Sequence, residues 1–327
     1  MSGSTLVTGA GLMGCLTARA LADRGGRVML LDRNPQHEAI ADIAGGPNVT
    51  VVAGDVTDLP SLRVLVQAHG VQRIVHTAAL LSTAIRRSPL DGVRVNAMGT
   101  ANVLEVAREL GLQRVVIASS ATVGYPSFGE FAGAAFPEDF PLRSLAHRPM
   151  SIYAATKCFS EHLGLLYRDL HGVEVVALRY AAVIGAWRGP ETSVPGRLLS
   201  TLFVAARRGE VAVIDDPLLT WRGGEEFVDA RDCATANVTA LEAASPAQGV
   251  YNVGSGVAHT FDDVVAAVRA LHPDLRVQMD VEPSGGFAGF VHVRPAPSDI
   301  AAAARELGWS PRHRLCDSVC HYAPWYA

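Results

Sequence analysis

Tyr153-Ala154-Ala155-Thr156-Lys157 sets a phenol and an ammonium four residues apart, the spacing that brings two side chains to one face of a helix. A phenol is a poor base near neutral pH because its ordinary pKa is about 10. An adjacent cation stabilises the phenolate, so such a pair could exchange a proton with a substrate hydroxyl. Alone, the spacing fits an ordinary helix surface equally well. What gives it weight is Val115-Val116-Ile117-Ala118-Ser119-Ser120-Ala121-Thr122, a run that is apolar and then rich in hydroxyls. It predicts a strand with hydroxyls at its carboxyl end, the edge where open α/β sheets bind ligands. Ser120 is the candidate to hold a reacting oxygen beside Tyr153, and Ser119 and Thr122 are candidate substrate contacts.

A second constellation lies at the start of the chain. Leu6-Val7-Thr8-Gly9-Ala10-Gly11-Leu12-Met13-Gly14 reads as strand, tight turn and helix start. Gly9 permits the turn, Gly11 lets main chain approach a pyrophosphate, and Gly14 lets helix pack on strand. Free N–H groups at the helix start, around Leu12 and Met13, would face the anion. Asp32 ends the next strand, 18 residues beyond Gly14. A carboxylate there can accept from both ribose hydroxyls and repel a 2′-phosphate, favouring NAD over NADP. Arg33, directly following, weakens that preference.

These residues need a scaffold, and the pattern supplies one. Leu6–Thr8, Arg27–Leu31, Val49–Val52, Arg73–His76, Arg114–Ala118 and Val173–Leu178 read as strands, apolar throughout rather than alternating. Strands of that kind are covered on both faces of a parallel sheet. Helical spacing separates them at Met13–Arg24, Ser61–His69, Asn96–Leu110 and Tyr153–His171. The alternation predicts an α/β, doubly wound parallel sheet of Rossmann type. Residues 1–179 are expected to form the NAD-binding domain. Residues 180–327 are expected to form mainly a smaller substrate lobe, interleaved through a return to the sheet at about 226–256. In that half, Glu226–Val228 and Val250–Val253 read as strands, and Pro195–Arg208 and Phe261–Leu271 as helices, after a Gly- and Pro-rich stretch at Gly185–Arg197. Gly124–Met150 is long for a connection and fits a lid or a surface excursion.

Composition excludes several classes. The chain has 327 residues, 49% hydrophobic and 18% charged, enough to bury a core and too apolar for disorder. With 28 Lys and Arg against 32 Asp and Glu, net charge −4, no basic face is expected for nucleic acid. No apolar stretch approaches the ~18 to 20 residues of a membrane span. The first residues run straight into a strand without the marks of a secretory leader. Cys15, Cys158, Cys233, Cys316 and Cys320 are odd in number and without CxxC pairs, which fits packing thiols in a reducing cytoplasm. His313, Cys316, Cys320 and His321 cluster in sequence, but their spacing matches no usual zinc module, so no metal is expected. His76 lacks a carboxylate spaced for a triad and reads as an ordered histidine under the cofactor.

Together these segments resemble the extended short-chain dehydrogenases/reductases, the NAD-dependent epimerase/dehydratase family, over nearly the whole chain. Gly54-Asp55-Val56-Thr57-Asp58, His76-Thr77-Ala78-Ala79, Asn96-Ala97-Met98-Gly99-Thr100, Leu178-Arg179-Tyr180, Phe227-Val228-Asp229, Tyr251-Asn252-Val253-Gly254 and Arg294-Pro295 carry the likeness beyond the glycines and the Tyr–Lys pair. The resemblance implies Ser120, Tyr153 and Lys157 as catalytic residues, with Tyr153 and Lys157 also against the cofactor. It places Asp55 and Val56 at the adenine, Ala78 along the cofactor, and Asn96, on the helix that braces the site, among the cofactor-binding residues. It also implies a homodimer packed through the helices at Asn96–Leu110 and Tyr153–His171.

The departures narrow the chemistry. The glycine loop is one residue shorter than the family's usual form. Where family dehydratases carry an acidic pair, this chain has Ala121 and Thr122, which argues against water elimination. Where nucleotide-sugar members carry Asn and Arg, it has Ala182 and Glu225, and Glu225 would repel a diphosphate. Arg294 remains, Arg197 or Arg222 could substitute, and Trp187 and Trp221 could line the cleft or pack. The pattern therefore predicts an NAD-dependent oxidoreductase of a small secondary alcohol or hydroxy acid, with Arg197, Trp221 and Arg294 among its substrate contacts. A nucleotide-sugar epimerase, using the same catalytic residues, and a cofactor-sensing protein without turnover are the competing readings.

Overall fold

A computed structural model describes residues 3–143, 145–189 and 193–326. Residues 190–192, inside the Gly- and Pro-rich stretch, lie outside the described residues. The main sheet has seven parallel strands in the order β10-β6-β5-β4-β1-β2-β3. They are β1 (Ser4–Thr8), β2 (Arg27–Asp32), β3 (Val49–Ala53), β4 (Val71–His76), β5 (Arg114–Ser120), β6 (Val175–Tyr180) and β10 (Val250–Val253). The chain reverses direction of winding between β1 and β4, so the carboxyl ends of those two strands open the crevice in which such sheets bind ligands. β5 is buried along its entire length, as expected of a strand sandwiched between helical layers.

Two local devices aim the functional segments. The helix Ile152–His171 starts at Ser151, whose hydroxyl accepts from the Ala154 amide at 3.1 Å, and stops at Gly172 in the left-handed region (φ 68°). That start sets Tyr153 in the first turn, facing the carboxyl end of β5. The helix Leu12–Asp23 begins after Gly11 with no side-chain cap, leaving its first amides available to a ligand.

The second half departs from its expected layout. Val250–Val253 does pair with β6, but β9 (Glu225–Asp229) does not enter the main sheet. It runs parallel to β7 (Ala182–Ile184) and antiparallel to β11 (Ala258–His259) in a separate three-stranded sheet, while β8 (Val211–Ile214) pairs with β12 (Arg276–Met279). The chain turns out of the main sheet at Ala181 and immediately offers β7 as an alternative edge. The helix Ala230–Glu242, absent from the sequence reading, buries mainly small apolar residues, Cys233, Ala234, Ala236 and Ala240 among them. It docks on Leu12–Asp23 partly through polar groups: Asn237 donates to Thr17 at 2.9 Å and accepts from Tyr180 at 2.5 Å. The helix read at Asn96–Leu110 begins as a π-helical turn, Val93–Met98, before the α-helix Gly99–Leu110.

Gly124–Met150 is held to the body. Tyr125, Phe128 and Phe136 form a buried aromatic cluster with Phe140 and Phe290. Arg179 donates to the Glu138 carbonyl at 2.6 Å, and Glu138 accepts from the Asn252 amide at 2.9 Å. Among the described residues, no helix is long and apolar enough to cross a membrane.

Gly14 is the tightest steric point of the scaffold. A Cβ there would be driven into the Gly9 carbonyl oxygen, a backbone atom that cannot turn aside. Gly14→Ala is expected to cost about 1–3 kcal/mol through overpacking and to lower nucleotide affinity by distorting the turn. Urea unfolding with and without NAD measures both; unchanged stability and affinity would refute the reading.

Candidate active site

At the carboxyl ends of β1, β2, β4, β5 and β6 a cleft of about 500 Å³ runs from the glycine turn to a wall formed by Phe287 and Phe290. Gly9 (φ 86°) makes the turn, and a side chain at that position would meet the Ala78 backbone at 2.7 Å. A Cβ on Gly11 would meet nothing within 4 Å: that residue opens onto the cleft, leaving main chain free for close approach by a phosphate. The short loop closes on Asp32, whose Oδ2 accepts from the Ala10 amide at 2.7 Å while Oδ1 accepts from Asn34 at 2.8 Å. Gly9, Gly11, Leu12, Met13, Gly14, Asp32, Asp55, Val56 and Ala78 all line this end, together with Arg33. Open space over Gly11, uncapped amides and a carboxylate at the end of β2 are the donor set a dinucleotide requires, and the residues present fit NAD.

Asn96 is not among the lining residues. It is buried, accepting from the Leu80 amide at 2.8 Å and donating to the Leu80 carbonyl at 3.0 Å and to Thr156 at 3.2 Å. It therefore ties the cleft wall to the helix of Tyr153, a bracing position; direct contact with a cofactor does not follow from this geometry. His76 is likewise behind the cleft, bonded to Thr8 at 2.7 Å and Thr100 at 3.1 Å. Burial, with Lys157 nearby, pushes its pKa down to about 3 and keeps it neutral.

Ser120, Tyr153 and Lys157 converge on the middle of the cleft. Ser120 lies close enough to the Tyr153 phenol to act on its ionisation, and Thr122 donates to Ser120 Oγ from its hydroxyl at 3.0 Å and its amide at 3.3 Å. Lys157 Nζ donates to the Ala118 carbonyl at 2.6 Å and lies 5.6 Å from the centroid of the Tyr153 ring. The expected acidification of the phenol is not what this arrangement produces. Tyr153 as a residue stays partly exposed, yet burial around the phenol pushes its pKa up to about 12, against a smaller lowering by Ser120. Burial also pushes Lys157 down to about 8, with Glu161 acting in the opposite sense. Desolvation outweighs the attraction of a cation already bonded to a carbonyl.

The substrate contacts read from the sequence fare unevenly. Thr122 and Ser119 line the cleft, but the Ser119 hydroxyl donates away from it, to Glu161 at 2.5 Å; Glu161 is itself held by Arg179 at 2.7 Å. Arg197, Trp221 and Arg294 do not line it. Arg197 pairs with Asp216 at 2.5 Å. Trp221 is buried among Phe227, Phe261 and Phe287. Arg294 is buried between Glu225 (2.8 Å) and Glu226 (3.2 Å). Both arginines are of a type that suits an anion contact, but each guanidinium is held by a carboxylate, Arg197 by the partly exposed Asp216 and Arg294 by the buried Glu225 and Glu226.

In their place the wall is built by Tyr125, Trp187, Val194, Phe287 and Phe290. Only Trp187 carried a signal in the sequence, because the others lie on segments whose return to the site depends on the fold of the second half. Among the described residues, no group of three His, Cys, Asp or Glu side chains is placed to hold a metal. His313 instead pairs with Asp232 at 2.8 Å.

Comparison with known proteins settles the lineage. A model of the NAD dependent epimerase/dehydratase family matches residues 5–254. The chain belongs to this family. A curated relative, the UDP-glucose 4-epimerase of Erwinia amylovora, is 28% identical over 94% of this chain and 92% of its own length. Among solved structures, the UDP-glucose 4-epimerase of Stenotrophomonas maltophila, with bound NAD and formylated UDP-arabinopyranose, superposes with a TM-score of 0.79 at 26% identity, covering 99% of this chain and 98% of the other. The GalE-like L-threonine dehydrogenase of Cupriavidus necator gives 0.77 at 25% identity, covering 98% and 99%.

Two outcomes follow for this family member. Asp32→Ser removes the carboxylate but leaves Arg33, so the ratio of NAD to NADP affinity should fall at least tenfold by fluorescence titration; an unchanged ratio would refute the ribose role. Lys157 also marks stability. Its folded pKa of about 8 lies below its ordinary value of 10.5, so its burial destabilises the fold fully below pH ~8 and progressively less up to pH ~10.5. Lys157→Met should therefore gain urea resistance over the wild type at pH 7, with the gain shrinking by pH 10. A constant difference would contradict the assignment.

Proposed function

We propose that this chain catalyses NAD-dependent oxidation at a secondary carbinol carbon through Ser120, Tyr153 and Lys157. The observation that carries the reading is the convergence of Ser120, Tyr153 and Lys157 on the same cleft that the glycine turn and Asp32 line. Gly9 to Gly14, Asp32, Asp55, Val56 and Ala78 would hold the cofactor, with Tyr153 and Lys157 at its reactive end. NAD supplies the hydride acceptor when bound. Tyr153 Oη would take the proton of the substrate hydroxyl, and Ser120 Oγ, fixed by Thr122, would orient that oxygen. Lys157, held on the Ala118 carbonyl, would stabilise the phenolate as it forms. No carboxylate lies beside these groups among the described lining residues; the acidic ones, Asp32 and Asp55, are at the glycine end. Dehydration would lack its acid and base.

The names of the relatives support one specific cycle: an epimerase, in which the ketone is reduced again on its other face and no net oxidation accumulates. Net dehydrogenation is the second reading, supported by the likeness to a threonine dehydrogenase fold. Part of the same proposal is a homodimer through Gly99–Leu110 and Ile152–His171, the second of which exposes Phe159, Leu166 and Leu170. A cytoplasmic setting is proposed from five cysteines that are all free.

Tyr153→Phe should retain the fold and NAD binding and lower kcat/KM by 10²-fold or more, the usual worth of a positioned proton acceptor. Steady-state turnover, followed by reduced-nicotinamide absorbance and by product chromatography, distinguishes net oxidation from epimerisation. Full activity in the variant would remove the basis of both cycles.

A further inference from the structure

The substrate half of the cleft is defined by what surrounds it. Its wall is carbon-rich: Tyr125, Val183, Trp187, Phe287 and Phe290, with Ala288 held at φ 55° between two of the aromatics. A non-glycine residue in the left-handed region is a strained choice that a surrounding structure must impose, and here it sits in the turn that presents both rings. Among the described lining residues the cations are Arg33, beside Asp32 at the far end, and Lys157, already committed to Ala118.

Directly behind Tyr125 lies a buried charge cluster. The Arg294 guanidinium is 5.6 Å from the centroid of the Tyr125 ring and 5.2 Å from that of Phe128. It bonds Glu225 and Glu226, and the Tyr125 hydroxyl donates to Glu225 at 3.1 Å. Glu226 further accepts from Ser298 at 2.6 Å and from the Gly256 amide at 2.7 Å. All three charged side chains are nearly inaccessible. One guanidinium is thus shared between two carboxylates, its Nη2 left without a hydrogen-bond partner among the described residues, and the formal charge of the cluster behind the aromatic wall is negative. A phosphate or carboxylate in front of Tyr125 would lose its hydration without gaining a cation from that wall, the Lys157 ammonium being bonded to Ala118, the costly case for a desolvated charge. A cationic group would have to share the site with the Lys157 ammonium.

The geometry points to a specificity device: Glu225, by sequestering Arg294 behind Tyr125, makes this an enzyme for an uncharged, carbon-rich secondary alcohol or its ketone. The inference rests on the proposed Ser120–Tyr153–Lys157 chemistry and holds for either cycle, but it sets the substrate apart from a nucleotide diphosphate sugar.

The test uses the full chain loaded with NAD and three congeners: 1-(4-methylphenyl)ethanol, 4-(1-hydroxyethyl)benzoate and the corresponding para-trimethylammonium alcohol. Binding by saturation-transfer NMR and turnover should both favour the uncharged member at least tenfold. UDP or UDP-glucose at about 1 mM, a weak-binding threshold, should neither compete nor be converted. Glu225→Gln should narrow the discrimination against the benzoate several-fold. Phe290→Arg, on the partly exposed wall against Tyr125, should do so while keeping Arg294, Glu225 and Glu226 unchanged. Preference for either charged congener, failure to bind the uncharged one, or competition by UDP would overturn the inference. Conversion of UDP-glucose that Tyr153→Phe abolishes would overturn it while leaving the proposed chemistry standing. Conversion that survives Tyr153→Phe would overturn the chemistry as well.

Discussion

The arrangement depends on keeping an ammonium dry. Lys157 is buried on the central helix with its Nζ bonded to the carbonyl of Ala118, and burying a cation without compensation is strongly unfavourable. Compensation comes from three directions: the carbonyl at the end of β5, the Tyr153 ring one turn earlier, and the Glu161 carboxylate one turn later. Glu161 is in turn buried and balanced by Arg179 on β6 and by Ser119 on β5. Arg179 also reaches the Glu138 carbonyl and lies 4.9 Å from the Phe140 ring, so the same ion pair secures the long segment after β5. The groups that would move a proton and the segment that walls the cleft are therefore held by one connected set of contacts. Their common origin is the need to stabilise a single buried charge.

At the other end of the cleft the constraint is steric. Gly9, Gly11 and Gly14 remove side chains where the chain must turn, approach and pack, and the shortened loop is completed by the hydrogen bond from the Ala10 amide to Asp32. That contact gives Asp32 two tasks, shaping the turn and presenting a carboxylate at the end of β2. A substitution there changes both.

Much of this was legible in the sequence because the relevant signals are local. Apolar runs without alternation marked the parallel strands, glycine spacing marked the turn, and four-residue spacing marked Tyr153 and Lys157 as neighbours. What escaped was set by contacts between distant residues. The helix Ala230–Glu242 buries mainly small residues such as Cys233, Ala234, Ala236 and Ala240 beside Asn237, which bonds Thr17, so its apolar signature is diluted. β9 chooses β7 over the main sheet, a decision made by the chain's exit at Ala181. Arg197 and Arg294 were reasonable anion contacts by type, but spacing cannot show that Asp216, Glu225 and Glu226 take them first. Nor did the phenol behave as the simple pairing of Tyr153 with Lys157 suggested, since the degree of burial is a tertiary property.

The most direct measurement is isotope transfer in the NAD-loaded chain, using the alcohol it oxidises most readily with deuterium at the carbinol carbon. The account requires deuterium to reach C4 of the nicotinamide ring in the wild type, by NMR of the recovered cofactor or of a product that has received it back. It requires that transfer to be lost in Tyr153→Phe. Product formed with no deuterium on either, or transfer undiminished without the phenol, would contradict it.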